Sequence, residues 1–476
     1  GNNHSKYYIN RDTDEMLPLM TSNGFSSNGA ISVFIDREDN IWFADTRGVD
    51  KINRLTLVNY YLSNGLLDNE VTAIAEVTND KFIIGHINGL SILDANNNFE
   101  RISFKYERLN SSRVLDMFKD NEGNVWFTAS AYGVGKMYPN GKIKWYRSNN
   151  VNQYLSVNQD NKGRVWIGTV SNENKIFIVK NDQLIEYEHN SQFYNTNRKL
   201  FASDKGGMYI LGNNGIWYAD DMGAKQIPTK DGKKANTYSY YKNKSGTEFV
   251  GTSAGLFFID NGQLAKYSSK GIEISKPVYF ILQDRKGNYW LGSNDGVMKW
   301  DGGQNIELIN TQNGLAGNET NRSAGLLDSK DRIWVGTDLG LSCFMPENNN
   351  IKIPVPKLKL MDLEDSRGIH YKLDNDILIP YIDNTLLFNF RGISFVNEES
   401  MVYKYKLDGY DKDWQEIKQS LLDKVKYVNI NPGEYQFFVM VKNFSGEWSE
   451  VGTSGIIKIN SPFYKSWWFI SLSLLI

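Results

Sequence analysis

The sequence has one cysteine, Cys343, in 476 residues. That excludes an internal disulfide but says little about compartment, because dense disulfides serve small secreted domains and large exported proteins often need none. Cys343 stands in the apolar stretch 341–345 and reads as a small buried apolar residue. An excess of either charge is also lacking: 53 Lys and Arg face 55 Asp and Glu, the formal net charge is −2, and no long basic run exists. A nucleic-acid partner is therefore not expected. The four histidines, His4, His86, His189 and His370, are too scattered for metal-ligand spacing, so neither a zinc site nor another cofactor is expected. There is no G-x-S-x-G, H-E-x-x-H or P-loop. The chain opens on Gly1 with no charged n-region or apolar h-region, and it stops inside the apolar run 467–476. Both ends read as cuts in a longer protein, so the missing leader carries no information about export.

What is present is aromatic and repetitive. Hydrophobic residues make up 41% and aromatics 13%, with 27 Tyr and 12 Trp, which suits a strand-rich globular chain and argues against disorder. The length allows two domains when one of them is large. Residues 284–296 read DRKGNYWLGSNDG, and the same unit recurs as DREDNIWFADTRG at 36–48, DNEGNVWFTASAYG at 120–133, DNKGRVWIGT at 160–169 and DSKDRIWVGTDLG at 328–340. Weaker copies lie at 79–89, 204–215 and 243–255. Aligning them places a large apolar residue at one fixed point: Trp42, Ile83, Trp126, Trp166, Ile210, Phe249, Trp290 and Trp334. The successive spacings are 41, 43, 40, 44, 39, 41 and 44. A period of that size with several short strands per unit marks a β-propeller.

Each unit has a direct physical reading. An alternating apolar run, such as 278–282, is an inner strand. The Asp that follows caps backbone NH groups in a turn, and Gly takes the positive-φ position. The Trp strand fills the space between blades. Its glycine lets backbones approach near the axis. Two outer strands complete about four per unit, and no unit can bury its faces without neighbours. Eight repeats close one eight-bladed ring, or seven close a ring and the first is the tail of an earlier propeller; seven is favoured. The short strand Tyr7-Tyr8-Ile9 fits the outer strand of a preceding blade. Repeat four has no turn glycine after Gly168-Thr169, which predicts a longer outer hairpin.

Pro354 and Pro356 end the period. The expected division is a propeller over 1–350, with 1–30 as the possible end of a preceding blade, a β-sandwich over 351–460, and the start of a transmembrane helix at 461–476. Sandwich strands are expected at 386–390, 402–407, 426–430, 435–441 and 455–459, with a tight turn at Asn431-Pro432-Gly433 of the kind found in immunoglobulin-like modules.

The combination resembles a known sensor family. The repeats resemble the two-component regulator propeller repeat, D-x-x-G-x-x-W-x-G-T-x-x-G-L. The second region resembles the three-tyrosine (Y_Y_Y) domain through YKYKLDGYDKDW at 403–414, PGEYQF at 432–437 and the turn at 443–448. The run PFYKSWWFI at 462–470 looks like the start of the helix that follows this domain in such sensors. The resemblance implies the periplasmic or extracellular half of a membrane-bound sensor histidine kinase or hybrid kinase of Bacteroidota type. It further implies a homodimer, a glycan or oligosaccharide ligand, and no catalysis by this portion. Repeats two, five and six depart from the pattern in lacking Trp. A carbohydrate-active propeller enzyme and a protein-interaction scaffold without a small ligand are the alternatives.

The repeated Trp residues could stack sugars, but their fixed strand position makes them blade core. The repeated Asp residues superficially match a calcium loop, yet lack its Asp-x-Asp-x-Asp-Gly spacing and distal Glu, so they cap turns. Abundant carboxylates leave a glycosidase pair open. A ligand is better sought on the face where the turn after the Trp strand and the linker into the next inner strand emerge. The turns offer Arg47, His86, Tyr132, Asn172, Asn213, Asn294, Asp295 and Asp338, and the linkers add Arg113, Arg198 and Arg322. Planar donors beside aromatic faces suit a polar or anionic sugar.

Overall fold

The computed structural model describes residues 6–9, 16–19, 26–52, 57–105, 112–149, 151–170, 175–187, 196–269, 271–345, 354–395, 401–443, 447–465 and 467–475. They form two compact units, Gly1–Gly29 with Leu55–Glu347, and Ala30–Arg54 with Asn348–Ile476.

The first unit is a ring of seven four-stranded antiparallel blades. Their inner strands are Ala73–Thr78, Val114–Lys119, Gln153–Gln159, Lys199–Ala202, Thr237–Lys242, Phe280–Gln283 and Thr320–Leu327. The first and last meet in parallel at Ser323 and Ala73. Blade seven draws its outer strand from the other end of the ring: Leu57–Tyr60 pairs with Leu341–Phe344. The short strand expected at residues 7–9 is Lys6–Ile9, paired in a hairpin with Met16–Leu19. Residues 171–174, which carry the expected longer hairpin of repeat four, lie outside the described residues.

The repeat unit folds as it does because one carboxylate organises it. Asp120 Oδ1 accepts the backbone NH of Glu122 and Asn124 at 3.0 and 2.8 Å, while Oδ2 accepts Trp126 Nε1 at 2.8 Å. The same bond joins Asp160 to Trp166, Asp284 to Trp290 and Asp328 to Trp334, at 2.8, 3.0 and 2.8 Å. Burial works against the Asp120 charge, but the bonds from Asn124, Trp126 and Glu122 outweigh it and hold the carboxyl below its usual range. The turn needs one left-handed residue. Gly123, Gly163 and Gly287 supply it with φ of 84°, 80° and 93°, and Asp331 takes it at 66° where glycine is absent. All seven aligned apolar residues of the ring are buried, from Ile83 to Trp334. Past them the backbones crowd: a Cβ on Gly251 would lie 2.2 Å from Ser239 Oγ.

In the second unit, one sheet orders His370–Tyr371, Lys357–Glu364, Leu386–Ile393 and Val425–Tyr427. The other orders Ile377–Ile379, Ile457–Ile459, Gly433–Lys442, Val402–Asp408 and Gln415–Lys418, with Gly452–Thr453 against Gly433–Lys442. Phe388 and Phe437 stack at 4.0 Å between the sheets, in a core that includes Tyr403, Val439 and Ile457. Strict alternation along Gly433–Lys442 turns one side inward and the other outward. The strands at 357–364, 377–379 and 415–418 were not expected from sequence. The first repeat, Ser32–Ile35, Ile41–Ala44 and Val49–Ile52, groups with this sandwich rather than with the ring. Trp42 meets Phe395 edge-on at 5.4 Å, Lys51 Nζ donates to Phe395 O at 2.9 Å, and Arg37 donates to Val355 O at 3.2 Å. A nine-residue helix, Trp467–Leu475, follows the sandwich. Among the described residues no helix is long and apolar enough to cross a membrane.

Candidate functional site

The seven inner strands converge on the ring axis, and their N-terminal ends share one mouth with the turns that follow the Trp strands. Backbone bonds tie the two sets together. Asn88 N donates to Ser112 O, Ser130 N to Arg113 O, Ser253 N to Asn236 O and Asp338 N to Glu319 O, at 2.9 to 3.1 Å.

Three guanidiniums enter this mouth from different blades. Arg113 immediately precedes the inner strand of blade two, and its Nη2 pairs with Glu70 at 2.6 Å and donates to Asn321 at 2.9 Å. Its Nε is buried without a hydrogen-bond partner among the described residues. Arg198 precedes the inner strand of blade four, and its Nε donates to Thr196 Oγ1 at 3.2 Å. Arg322, on the inner strand of blade seven, lies with its guanidinium carbon 4.4 Å from the ring centre of Tyr238 and 5.7 Å from that of Tyr279. Its environment lowers its pKa, first through desolvation and then through repulsion by Arg198, with Arg113 adding a smaller share. The two tyrosines brace each other edge-on at 5.4 Å. The site is therefore a mouth with three guanidiniums, one of them already paired with Glu70, beside an aromatic wall.

Beneath it charged side chains from different blades meet. Lys199 of blade four reaches Asp116 of blade two and donates to Ser323 Oγ of blade seven at 2.9 Å. Blades two, four and seven surround the axis, so the ammonium must lie close to it. The Asp116 carboxylate also accepts Met117 N at 3.0 Å and Val157 N at 3.1 Å. Asp116 is thus held in an ion pair by Lys199 and by two backbone NH groups.

The residues singled out from sequence divide. Arg113, Arg198 and Arg322 come together. Asn213 belongs to their surroundings, because its Oδ1 accepts Thr196 N at 3.0 Å beside Arg198. Asp338 is at the mouth through Glu319, with Oδ1 buried and without a partner among the described residues. Asn294 is exposed, and Asp295 is tied to Lys276 at the surface. Tyr132 turns toward its own blade, edge-on to Trp145 at 4.8 Å and under the Arg147 guanidinium. Two expectations need correction. His86 is fully buried, with Nδ1 2.9 Å from Glu70 O and Nε2 2.9 Å from Ser91 Oγ, so it holds a turn and is closed to a ligand. Burial pushes its pKa down to about 4. Arg47 lies in the segment that groups with the sandwich and is not part of the ring. Asn172 falls outside the described residues. Sequence reasoning missed Tyr238, Tyr279, Lys199 and Asp116. For Asp116 and Lys199 the available signal was a charge in an otherwise largely apolar inner strand.

Comparison with known proteins finds the same fold elsewhere. Residues 394–460 match the model of the Y_Y_Y domain. Histidine kinase P4 of Formosa agariphila is 23% identical over 446 residues, covering 87% of this chain and 30% of that protein. The extracellular domain assigned to the hybrid two-component system BT3049 of B. thetaiotaomicron superposes with a TM-score of 0.74 at 21% identity, over 92% of this chain and 62% of that one. Virginiamycin B lyase from Staphylococcus aureus superposes at 0.50 and 17% identity, over 61% of this chain and 99% of the lyase. The chain spans less than two thirds of the length of the kinase and of the extracellular domain.

Proposed function

We propose that this chain is the sensory part of a membrane-bound two-component receptor, held outside the cytoplasm, whose propeller binds an oligosaccharide bearing carboxylate or sulfate groups at the axial mouth. The observation that carries the ligand class is the set of Arg113, Arg198 and Arg322 beside Tyr238 and Tyr279. Guanidiniums held close together repel one another, and an anion relieves that repulsion while accepting their planar donors. Tyrosine faces suit the apolar side of a sugar ring. The chain itself performs no chemistry in this reading, in keeping with an axial carboxylate committed to Lys199. The kinship to a histidine kinase and to an extracellular sensor domain supports the receptor context. The sandwich relays binding to the C-terminal helix and onward to a cytoplasmic output domain. Two copies pair, and ligand selects between two pairings by its differential affinity.

Titration calorimetry with uronate-containing, sulfated and neutral oligosaccharides tests the ligand. Acidic sugars should bind, and Arg322→Ala should weaken them by about tenfold or more, the loss of one charge-assisted contact. The melting temperature should stay nearly constant, because Tyr238 and Tyr279 still brace each other. Equal binding of neutral and acidic sugars, or indifference to both Arg322→Ala and Arg198→Ala, would rule out the axial mouth.

A further inference from the structure

One end of the sandwich gathers apolar side chains around the point where the C-terminal helix departs. Ile377–Ile379 and Ile457–Ile459 run in parallel register, Ile379 opposite Ile459, and Asn460 N donates to Ile379 O at 2.9 Å. Both strands therefore exit at the same end. One continues into the tight turn Tyr381–Asp383, the other through Pro462 into Phe463, Tyr464, Lys465 and the helix Trp467–Leu475. A third loop joins them, since Ile430 N donates to Asn384 O at 3.1 Å and Gly433 pairs with Ile459. Tyr464 sits beside Tyr381: its phenol is raised above the ordinary value by desolvation and by the Tyr381 hydroxyl.

The side chains at this end face the wrong way for a soluble surface. Ile382 is 83% exposed, Phe463 66%, Val428 48%, Tyr464 47% and Tyr381 37%. The acid in the same turn, Asp383, is instead drawn inward to Arg367 at 3.2 Å. The turn thus presents Tyr-Ile outward and hides its carboxylate. Lys465 at the rim supplies a cation. Exposed apolar tips ringed by tyrosine and lysine, continuous with an apolar helix, match the boundary layer of a bilayer, where aromatic rings and lysine sit at headgroup level.

We propose that this end of the sandwich rests on the lipid headgroup layer, with Ile382 as its inserted tip. The sandwich is then a foot planted on the bilayer beside its own helix, and its tilt against the membrane is restrained at two points. The inference rests on the membrane reading of the C-terminal run but asks for a contact that reading does not require.

The test places an environment-sensitive fluorophore on Ile382→Cys, Ile470→Cys or Leu421→Cys, in the full chain reconstituted into phosphatidylethanolamine–phosphatidylglycerol vesicles. The native Cys343 is buried and does not compete for label. Leu421 is 72% exposed and follows Gln415–Lys418, whose Lys418 pairs with Val402 at the opposite end of the sandwich. Lipids carrying a quencher near the headgroup should reduce emission from position 382 by about twofold and leave 421 unchanged. Lipids quenched deep in the acyl region should act on 470. An unquenched label at 382 overturns the foot whatever happens at 470, while the label at 470 alone decides whether the helix enters the bilayer. Disulfide pairing of Ile382→Cys between copies, without lipid quenching, would assign the surface to a second copy and overturn the proposal as well.

Discussion

The segment Ala30–Arg54 and blade seven carry the same sequence unit in different surroundings. In both, an Asp caps the turn and receives the indole NH of the Trp six residues on, Asp36 from Trp42 and Asp328 from Trp334, each at 2.8 Å. In blade seven, Trp334, Leu341 and Cys343 are buried under neighbouring blades and the strand Leu57–Tyr60. In the first repeat, Ile31, Val33, Phe34 and Ile35 are exposed by 74, 56, 63 and 60%. The repeat therefore dictates a hairpin and its turn, whereas burial comes from what stands on either side. A local motif can form its turn and its indole bond where the strand beside it stays largely exposed.

The sharpest way to break this comparison is to remove the same carboxylate twice. Asp328→Ala should cost about 3 kcal/mol, because it leaves the Trp334 NH buried without an acceptor and takes from Arg332 one of its two carboxylates, Asp80 remaining. Asp36→Ala should cost about 1 kcal/mol and leave the ring's transition in place. Urea unfolding followed by Trp fluorescence reads both, and equal losses would mean that burial does not set the value of the motif.

Blade one sharpens the comparison, since it has Ile83 in place of Trp and, at the far end of the same strand, a buried His86 that joins Glu70 to Ser91. The folded His86 pKa, about 4, lies below the ordinary 6.5, so the unfolded chain takes up the proton first. Stability is then fully present above pH 6.5 and is lost as pH falls toward 4, by up to about 3 kcal/mol. His86→Gln should flatten that interval of the pH–stability profile. A wild-type profile already flat there would show that His86 is not held neutral by burial. The smallest effect belongs to the indole bond alone: Trp334→Phe should cost about 1 kcal/mol beyond what Trp42→Phe costs, measured in the same urea titrations.

The ring was legible because its signals are local. Asp, Gly and Trp recur at fixed offsets, and each offset corresponds to a turn or a strand position. Even the indole bond was there to be found, in the constant six-residue step from Asp36 to Trp42 through Asp328 to Trp334. The axial site was only half legible. Arg113, Arg198 and Arg322 stood out as charges in linkers, but Lys199 and Asp116 meet across the axis from blades 83 residues apart. No local pattern records which alternating face of an inner strand looks down the axis. His86 misled because its place in a turn looked exposed, whereas Glu70 and Ser91 close over it. The strand Lys357–Glu364 was hidden by Pro354 and Pro356, which end the propeller period just before the sandwich begins.

The pairing of Leu57–Tyr60 with Leu341–Phe344 also fixes the order of events during synthesis. The two partners are separated by about 280 residues, so the first strand of the ring must wait on the ribosome for the last. Until then it is an unpaired edge, and blades one to six can form while the circle stays open. Completion is a late, long-range step. A pause or a protease cut anywhere between the two strands would strike before the ring has acquired the stability that closure confers.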